Sequence, residues 1–190
     1  MSHNLSAGGG WGKYDDDMRI QIESYEPNLN LKYIGIDDTL VLAEGKNKPV
    51  KNYPVTGNIA VYDIVTDKIN YIFNDAVTRK IIGFNFESAY LEEYKTIEFN
   101  NSIYEYNGFP YKGHSNFRNI PKRPLSNNLI IISQDSGHNT SIWLCDKYGN
   151  NLKKELEFDE AWQWEIDVKN QLIRISRQLN SKIEIRHAKY

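Results

Sequence analysis

Alternation with a period of two is what most narrows the folds open to this chain. It runs through Arg19-Ile20-Gln21-Ile22, Leu172-Ile173-Arg174-Ile175 and Lys182-Ile183-Glu184-Ile185-Arg186. Successive side chains of a strand point to opposite faces, so such segments bury one face and wet the other. The 13 tyrosines suit half-buried pleated surface. No convincing amphipathic helix is present; Glu87 to Tyr94 is the best helical candidate. Turn-forming clusters separate the strands: Asp37-Asp38, Thr66-Asp67, Asn100-Asn101, Tyr148-Gly149-Asn150-Asn151 and Lys169-Asn170. Their shortness predicts antiparallel hairpins.

A repeat organises these strands. Four segments begin with a small or polar residue and an isoleucine, run on extended, and end on a polar stop. They are Asn58–Asp63, Ser102–Asn107, Ser141–Asp146 and Lys182–His187, and their isoleucines step by 44, 39 and 41 residues. Preceding strands are expected at Leu40–Ala43, Thr96–Phe99, Leu129–Ile132 and Leu172–Ile175. A third strand lies further upstream at Tyr33–Asp37, Ile81–Asn85 and Trp164–Asp167. The third unit offers only Tyr111–His114 there, a poor match. Outer strands are clear at Lys68–Phe73 and Leu152–Phe158.

Four strands per unit at this period is the spacing of a propeller blade. The run Ile59-Ala60-Val61-Tyr62-Asp63-Ile64-Val65-Thr66-Asp67-Lys68 resembles the third-strand ending common in β-propeller repeats. No WD dipeptide or double-glycine kelch signature accompanies it, so the resemblance reaches no subfamily. It implies an all-β fold of antiparallel repeats, a four-bladed propeller-like ring spanning 18–190. A flexible tail of residues 1–17 precedes it. The last unit stops at Tyr190 without an outer strand, and an open strand edge invites aggregation. Met18–Ser24 is therefore expected to pair with Ser181–His187 and close the ring. A β-sandwich or an irregular barrel is the alternative.

Composition bounds the chemistry. Formal net charge is −2, which argues against general nucleic-acid binding. The one cysteine, Cys145, excludes an internal disulfide framework and a cysteine-based zinc cluster. Its place in Ile142-Trp143-Leu144-Cys145 reads as a buried thiol. No secretory signal or membrane-length apolar run is visible, so a cytoplasmic location is the expectation. Ala7-Gly8-Gly9-Gly10-Trp11-Gly12-Lys13-Tyr14 lacks the first glycine and the terminal hydroxyl of a phosphate loop. His3, His114, His138 and His187 form no close pair, and Asp15-Asp16-Asp17 lacks calcium-loop spacing. Asp135-Ser136-Gly137-His138 puts three triad residue types side by side, which reads as a polar turn because triads converge from separate elements. Glu92, Glu93, Asp159 and Glu160 form no distinctive pair. No cofactor and no metal are expected.

Two stretches stand out as surfaces. Residues 106–134 carry Lys112, Arg118, Lys122 and Arg123 with no acid, so this stretch is +4 and the remainder −6. Phe109, Tyr111, His114 and Phe117 interleave with those cations, the composition of binding hot spots. These eight residues are the candidate partner-binding set. Charge plus stacking would equally hold phosphate or single-stranded nucleic acid; the bland reading is that Phe109, Tyr111 and Phe117 pin a long connection while the cations stay solvated. The second stretch holds Trp162 and Trp164 on one strand face, either core or, if exposed, an aromatic platform. The profile is similar to that of bacterial toxin-immunity proteins: short, cytosolic, mildly acidic and without a catalytic set. It implies a protein partner, a toxin domain whose active surface is masked. A glycan or small-molecule module is the second reading. An enzyme sited in a central channel, lined from Tyr33–Asp37, Ile81–Asn85 and Trp164–Asp167, is the third.

Overall fold

The computed structural model describes residues 20, 22–43, 50–100 and 119–190. Within these the chain is all-β and antiparallel, in three sheets. Strands β1 (Glu23–Glu26), β2 (Leu31–Ala43), β3 (Val50–Asp63) and β4 (Lys68–Tyr71) form a meander in sequence order. The second sheet holds β5 (Lys80–Leu91), β6 (Thr96–Phe99), β7 (Asn128–Gln134), β8 (Thr140–Asp146) and β9 (Lys153–Phe158), in the order β6-β5-β7-β8-β9. The third is the meander β10 (Gln163–Asp167), β11 (Leu172–Leu179) and β12 (Lys182–Lys189).

The sheets stack with the five-stranded one in the middle. Its Phe84, Phe86, Leu129, Ile131 and Cys145 pack against Leu31, Tyr33, Ile59 and Val61 of the first sheet. Its Ile130, Ile132, Ile142 and Leu144 pack against Trp162, Ile166, Ile173 and Ile175 of the third. That arrangement explains the unbroken apolar run Leu129-Ile130-Ile131-Ile132. Both faces of β7 are buried, so alternation disappears there. A register shift between Ile81 and Gly83 puts Ile81 and Phe84 into the same cluster, because one extra residue flips side-chain parity.

Several expectations are corrected here. Ser24 pairs with Tyr33, and Gly35 N–H donates to Ile22 O at 2.8 Å, so this end of the Met18–Ser24 segment lies on β2. Lys182–His187 of the expected partner segment pairs with β11, and no closed ring or barrel is present among the described residues. Glu87 to Tyr94 is not helical: β5 runs to Leu91 and turns at 92–95 into β6. Asp37-Asp38 is no turn either. It sits inside β2 opposite a bulge, where Asn58 pairs with Ile36 and Thr56 with Asp37, leaving Gly57 unpaired. The units of the second and third repeats also share one sheet, since β5 supplies the inner strand that Tyr111–His114 matched poorly. Ser102–Asn107, Tyr111–His114 and the tail 1–17 lie outside the described residues.

Strand-end aspartates build the turns. Asp63 accepts from Val65 N–H and Thr66 N–H, and Asp146 from Tyr148 N–H and Asn150 N–H. Asp135 likewise accepts from Gly137 N–H and Asn139 N–H, the polar-turn role expected for Asp135–His138.

A buried polar chain joins all three sheets. Lys147, just past β8, donates to Glu26 Oε2 of β1 at 2.7 Å and to the Glu87 carbonyl of β5 at 2.8 Å. Tyr33, wedged between Phe84 and Phe86, donates its hydroxyl to the Lys147 carbonyl at 3.0 Å. The Glu87 carboxylate accepts two bonds from Arg123, at 2.7 and 2.6 Å, one from Ser126 N–H at 2.8 Å and one from Tyr190 Oη at 3.2 Å. Arg123 reaches on to the Val168 carbonyl at 2.9 Å, at the end of β10. A buried charge needs this degree of pairing, because its desolvation is otherwise uncompensated.

Two predictions follow from this packing. Gly149 has φ +82°, and an added Cβ would lie 3.2 Å from Val61, Ile72 and Asn70 of the first sheet. Gly149→Ala is expected to cost about 1–3 kcal/mol, read from urea denaturation. Alkaline pH is expected to destabilise the fold. Burial raises the Tyr33 and Tyr190 hydroxyls above their ordinary 10.0 and pushes the Cys145 thiol from 9.0 up to about 12. The native state thus keeps protons that the unfolded chain releases, so stability is full below about pH 9 and falls as pH rises beyond it. Urea midpoints that stay flat from about pH 8 to about pH 11 would contradict this.

Candidate interaction surface

The basic, aromatic stretch divides into two parts. Phe109, Tyr111, Lys112, His114, Phe117 and Arg118 lie outside the described residues. Lys122 and Arg123 are described, and neither is a bare cation. Lys122 is exposed and ion-paired with Glu92. Arg123 is only 17 % exposed and is held in the bidentate pair with Glu87, which raises its pKa. Arg123 thus belongs to the sheet junction. Ile120 beside them is buried in the core, and Tyr90 donates to its carbonyl at 2.8 Å. The described end of the stretch is therefore held to the core by Ile120 and Arg123, not by the aromatics of the bland reading, which lie outside the described residues.

The tryptophan pair is likewise mostly structural. Trp162 is 8 % exposed and belongs to the core between the second and third sheets, with Trp164 half-buried against it. The guanidinium carbons of Arg177 and Arg186 lie 4.5 and 4.7 Å from the Trp162 ring centroid. Its π-face is occupied by the chain's own cations, so it offers no free platform.

The open aromatic surface lies elsewhere, on the outer face of the four-stranded sheet. Register places Tyr25, Lys32, Tyr62 and Ile69 side by side in one row crossing all four strands. The adjacent row is Glu23, Ile34, Ala60 and Tyr71. Residues in such rows share one face, and the opposite face carries the core residues Leu31, Tyr33, Ile59 and Val61. Ile69 is 58 % exposed and Tyr71 47 %; Tyr25 and Ile34 are exposed as well. Polar bonds orient the patch at its ends and at its centre. Tyr25 Oη donates to Asn30 Oδ1 at 2.9 Å, Tyr62 Oη to Asp67 Oδ1 at 2.8 Å, and Lys32 pairs with Glu23 at 2.8 Å. The face thus exposes Tyr25, Ile34, Ile69 and Tyr71 around one ion pair, with Ala60 buried among them.

Sequence reasoning missed these residues. The signal was present in Tyr33-Ile34 and Val61-Tyr62, where both parities are apolar. In a middle layer that means burial on two sides; in an end layer it means one apolar face in solvent. Only the stacking order distinguishes the two.

The described residues hold no group of three or more His, Cys, Asp or Glu side chains placed to bind a metal ion. Cys145 is buried, and its thiol stays protonated at neutral pH. No helix of the described residues is long and apolar enough to cross a membrane.

The contrast between the two described cations is testable. Arg123→Ala strips a buried carboxylate of its partner and is expected to cost about 3–5 kcal/mol in urea denaturation. Lys122→Ala, at an exposed pair, is expected to change stability by under about 1 kcal/mol. Equal effects would show that Arg123 does not hold the junction. Compared with known proteins, the chain matches no family model, no curated protein and no solved structure.

Proposed function

We propose that this chain is a protein-binding module whose contact surface is the outer face of the four-stranded sheet. The observation that carries the reading is that four large apolar side chains of these two rows, Tyr25, Ile34, Ile69 and Tyr71, are exposed on one sheet face around the Lys32–Glu23 ion pair. Clustered tyrosines with aliphatic neighbours and a polar rim are the anatomy of protein contact sites. Side chains exposed across four strands suit a macromolecule better than a small ligand, which favours a concave pocket.

The finer reading follows the immunity-protein profile. The partner is a toxin domain, and this chain masks its active surface in the cytoplasm of the cell that makes both. The mildly acidic balance supports association with a basic toxin through faster electrostatic encounter. For the fold, antiparallel meanders packed face to face are the way propeller blades pack. A propeller-like arc of three sheets leaves its two end faces free, and the proposed contact face is one of them.

The test uses the product of a neighbouring toxin-like reading frame as the partner. Ile69→Glu with Tyr71→Ala is expected to weaken its binding at least about 100-fold, since each residue of a hot spot contributes about 2 kcal/mol or more. The melting temperature should barely move, because both side chains face solvent. Unchanged affinity in that variant would overturn the assignment of this face. Glycan-array binding abolished by the same substitutions would favour the glycan reading instead.

A further inference from the structure

A second surface, distinct from the contact face above, has a pattern that fits a copy of itself. Strand β12 (Lys182–Lys189) ends the third sheet, and its outer edge pairs with no strand among the described residues. Most edge strands are protected by short length, proline or inward charge. This one spans 8 residues and exposes Ile183 at 72 % and Ile185 at 60 %.

The backbone phase of that edge is readable. Tyr190 N–H donates to Gln171 O at 3.0 Å, so the even-numbered positions of β12 turn their peptide groups toward β11. Antiparallel ladders alternate, so Ile183, Ile185 and His187 turn N–H and C=O toward the open edge. A second strand joining there must align odd-numbered residues with odd-numbered ones.

We infer that two copies of this chain associate through β12, antiparallel and about a two-fold axis at Ile185, to make one continuous sheet. In that register Ile185 meets Ile185 of the second copy, and Ile183 lies opposite His187. Those pairs exchange backbone hydrogen bonds in the phase the edge requires. On the other face Glu184 lies opposite Arg186 of the second copy, and Arg186 opposite its Glu184. Directly opposed unlike charges stabilise a ladder and like charges destabilise it. Within one chain Glu184 already binds Arg177 and Arg186, at 2.7 and 2.8 Å, so these groups are oriented before association. The neighbouring two-fold registers fail. Centring on Glu184 opposes it to itself and sets Lys182 against Arg186; centring on Arg186 opposes that residue to itself. Lys182 and Lys189 meet only Ala188 and Ser181 in the chosen register.

Sedimentation velocity from about 1 µM to about 500 µM tests the inference on the whole chain. The wild type is expected to pass from monomer to dimer within this range. Glu184→Arg alone and Arg186→Glu alone each set like charges opposite one another, and each is expected to stay monomeric. Mixed in equal amounts, they restore both unlike pairs and are expected to form the heterodimer. Ile185→Pro supplies a second variant. It removes an outward N–H while sparing the bonds to β11, a site where an edge strand accepts proline. It is expected to remain folded by circular dichroism and to be monomeric. A wild type monomeric throughout, a mixture that fails to associate while both variants are folded, or an undiminished Ile185→Pro dimer would each overturn the inference.

Discussion

The Glu87 carboxylate is the point on which the three-sheet arrangement depends. It is fully buried, and it accepts from Arg123, Ser126 and Tyr190, while its own carbonyl takes a bond from Lys147. Lys147 carries the chain of contacts to Glu26 and, through its carbonyl, to Tyr33. The hydrophobic effect has no direction, so apolar burial alone favours no one orientation of the layers. A buried carboxylate does not, because any shift that breaks a bond leaves a desolvated charge. The apolar clusters on the two faces of the middle sheet drive the stacking, and the polar chain selects one arrangement of it.

The stacking order in turn separates hidden surface from available surface. The middle sheet is covered on both sides, which is why β7 is apolar at consecutive positions. Among the described residues, the first and third sheets each have one face that no other sheet covers. On the first, Tyr25, Ile34, Ile69 and Tyr71 stand in solvent. On the third, Ile183 and Ile185 are exposed on β12, whose outer edge pairs with no described strand. Apolar residues at the ends of a stack contribute little to the core, so both regions are candidates for contact with other molecules.

Much of the third sheet was legible from alternation. Trp164–Asp167, Leu172–Ile175 and Lys182–His187 are strands in the expected order, with turns at Lys169-Asn170 and before Lys182. The long hairpin of β2 and β3 was not. Asp37-Asp38 looks like a turn, yet a bulge at Gly57 lets β2 continue through it. An added Cβ at Gly57 would fall 2.5 Å from the Asp38 Cβ, so the close approach requires glycine. Lys122 and Arg123 show the same limit at a site. They are adjacent cations in one stretch, yet one pairs with Glu92 in solvent and the other with Glu87 in the interior. The acids that claim them lie some thirty residues away in sequence, where local pattern carries no information.

The amino-acid sequence by itself determined the all-β class, most strand positions and the aspartate-built turns. These rest on short-range effects: side-chain alternation along an extended backbone and side-chain bonds to the next few peptide groups. Tertiary structure alone decided that the described residues form three sheets, that β5 joins β7, that Arg123 pairs at the sheet junction while Tyr71 is exposed, and that β12 pairs on its outer edge with no described strand. Each of those depends on which sheet lies against which. That choice is made by contacts between residues far apart in the chain, whose energies no single segment contains.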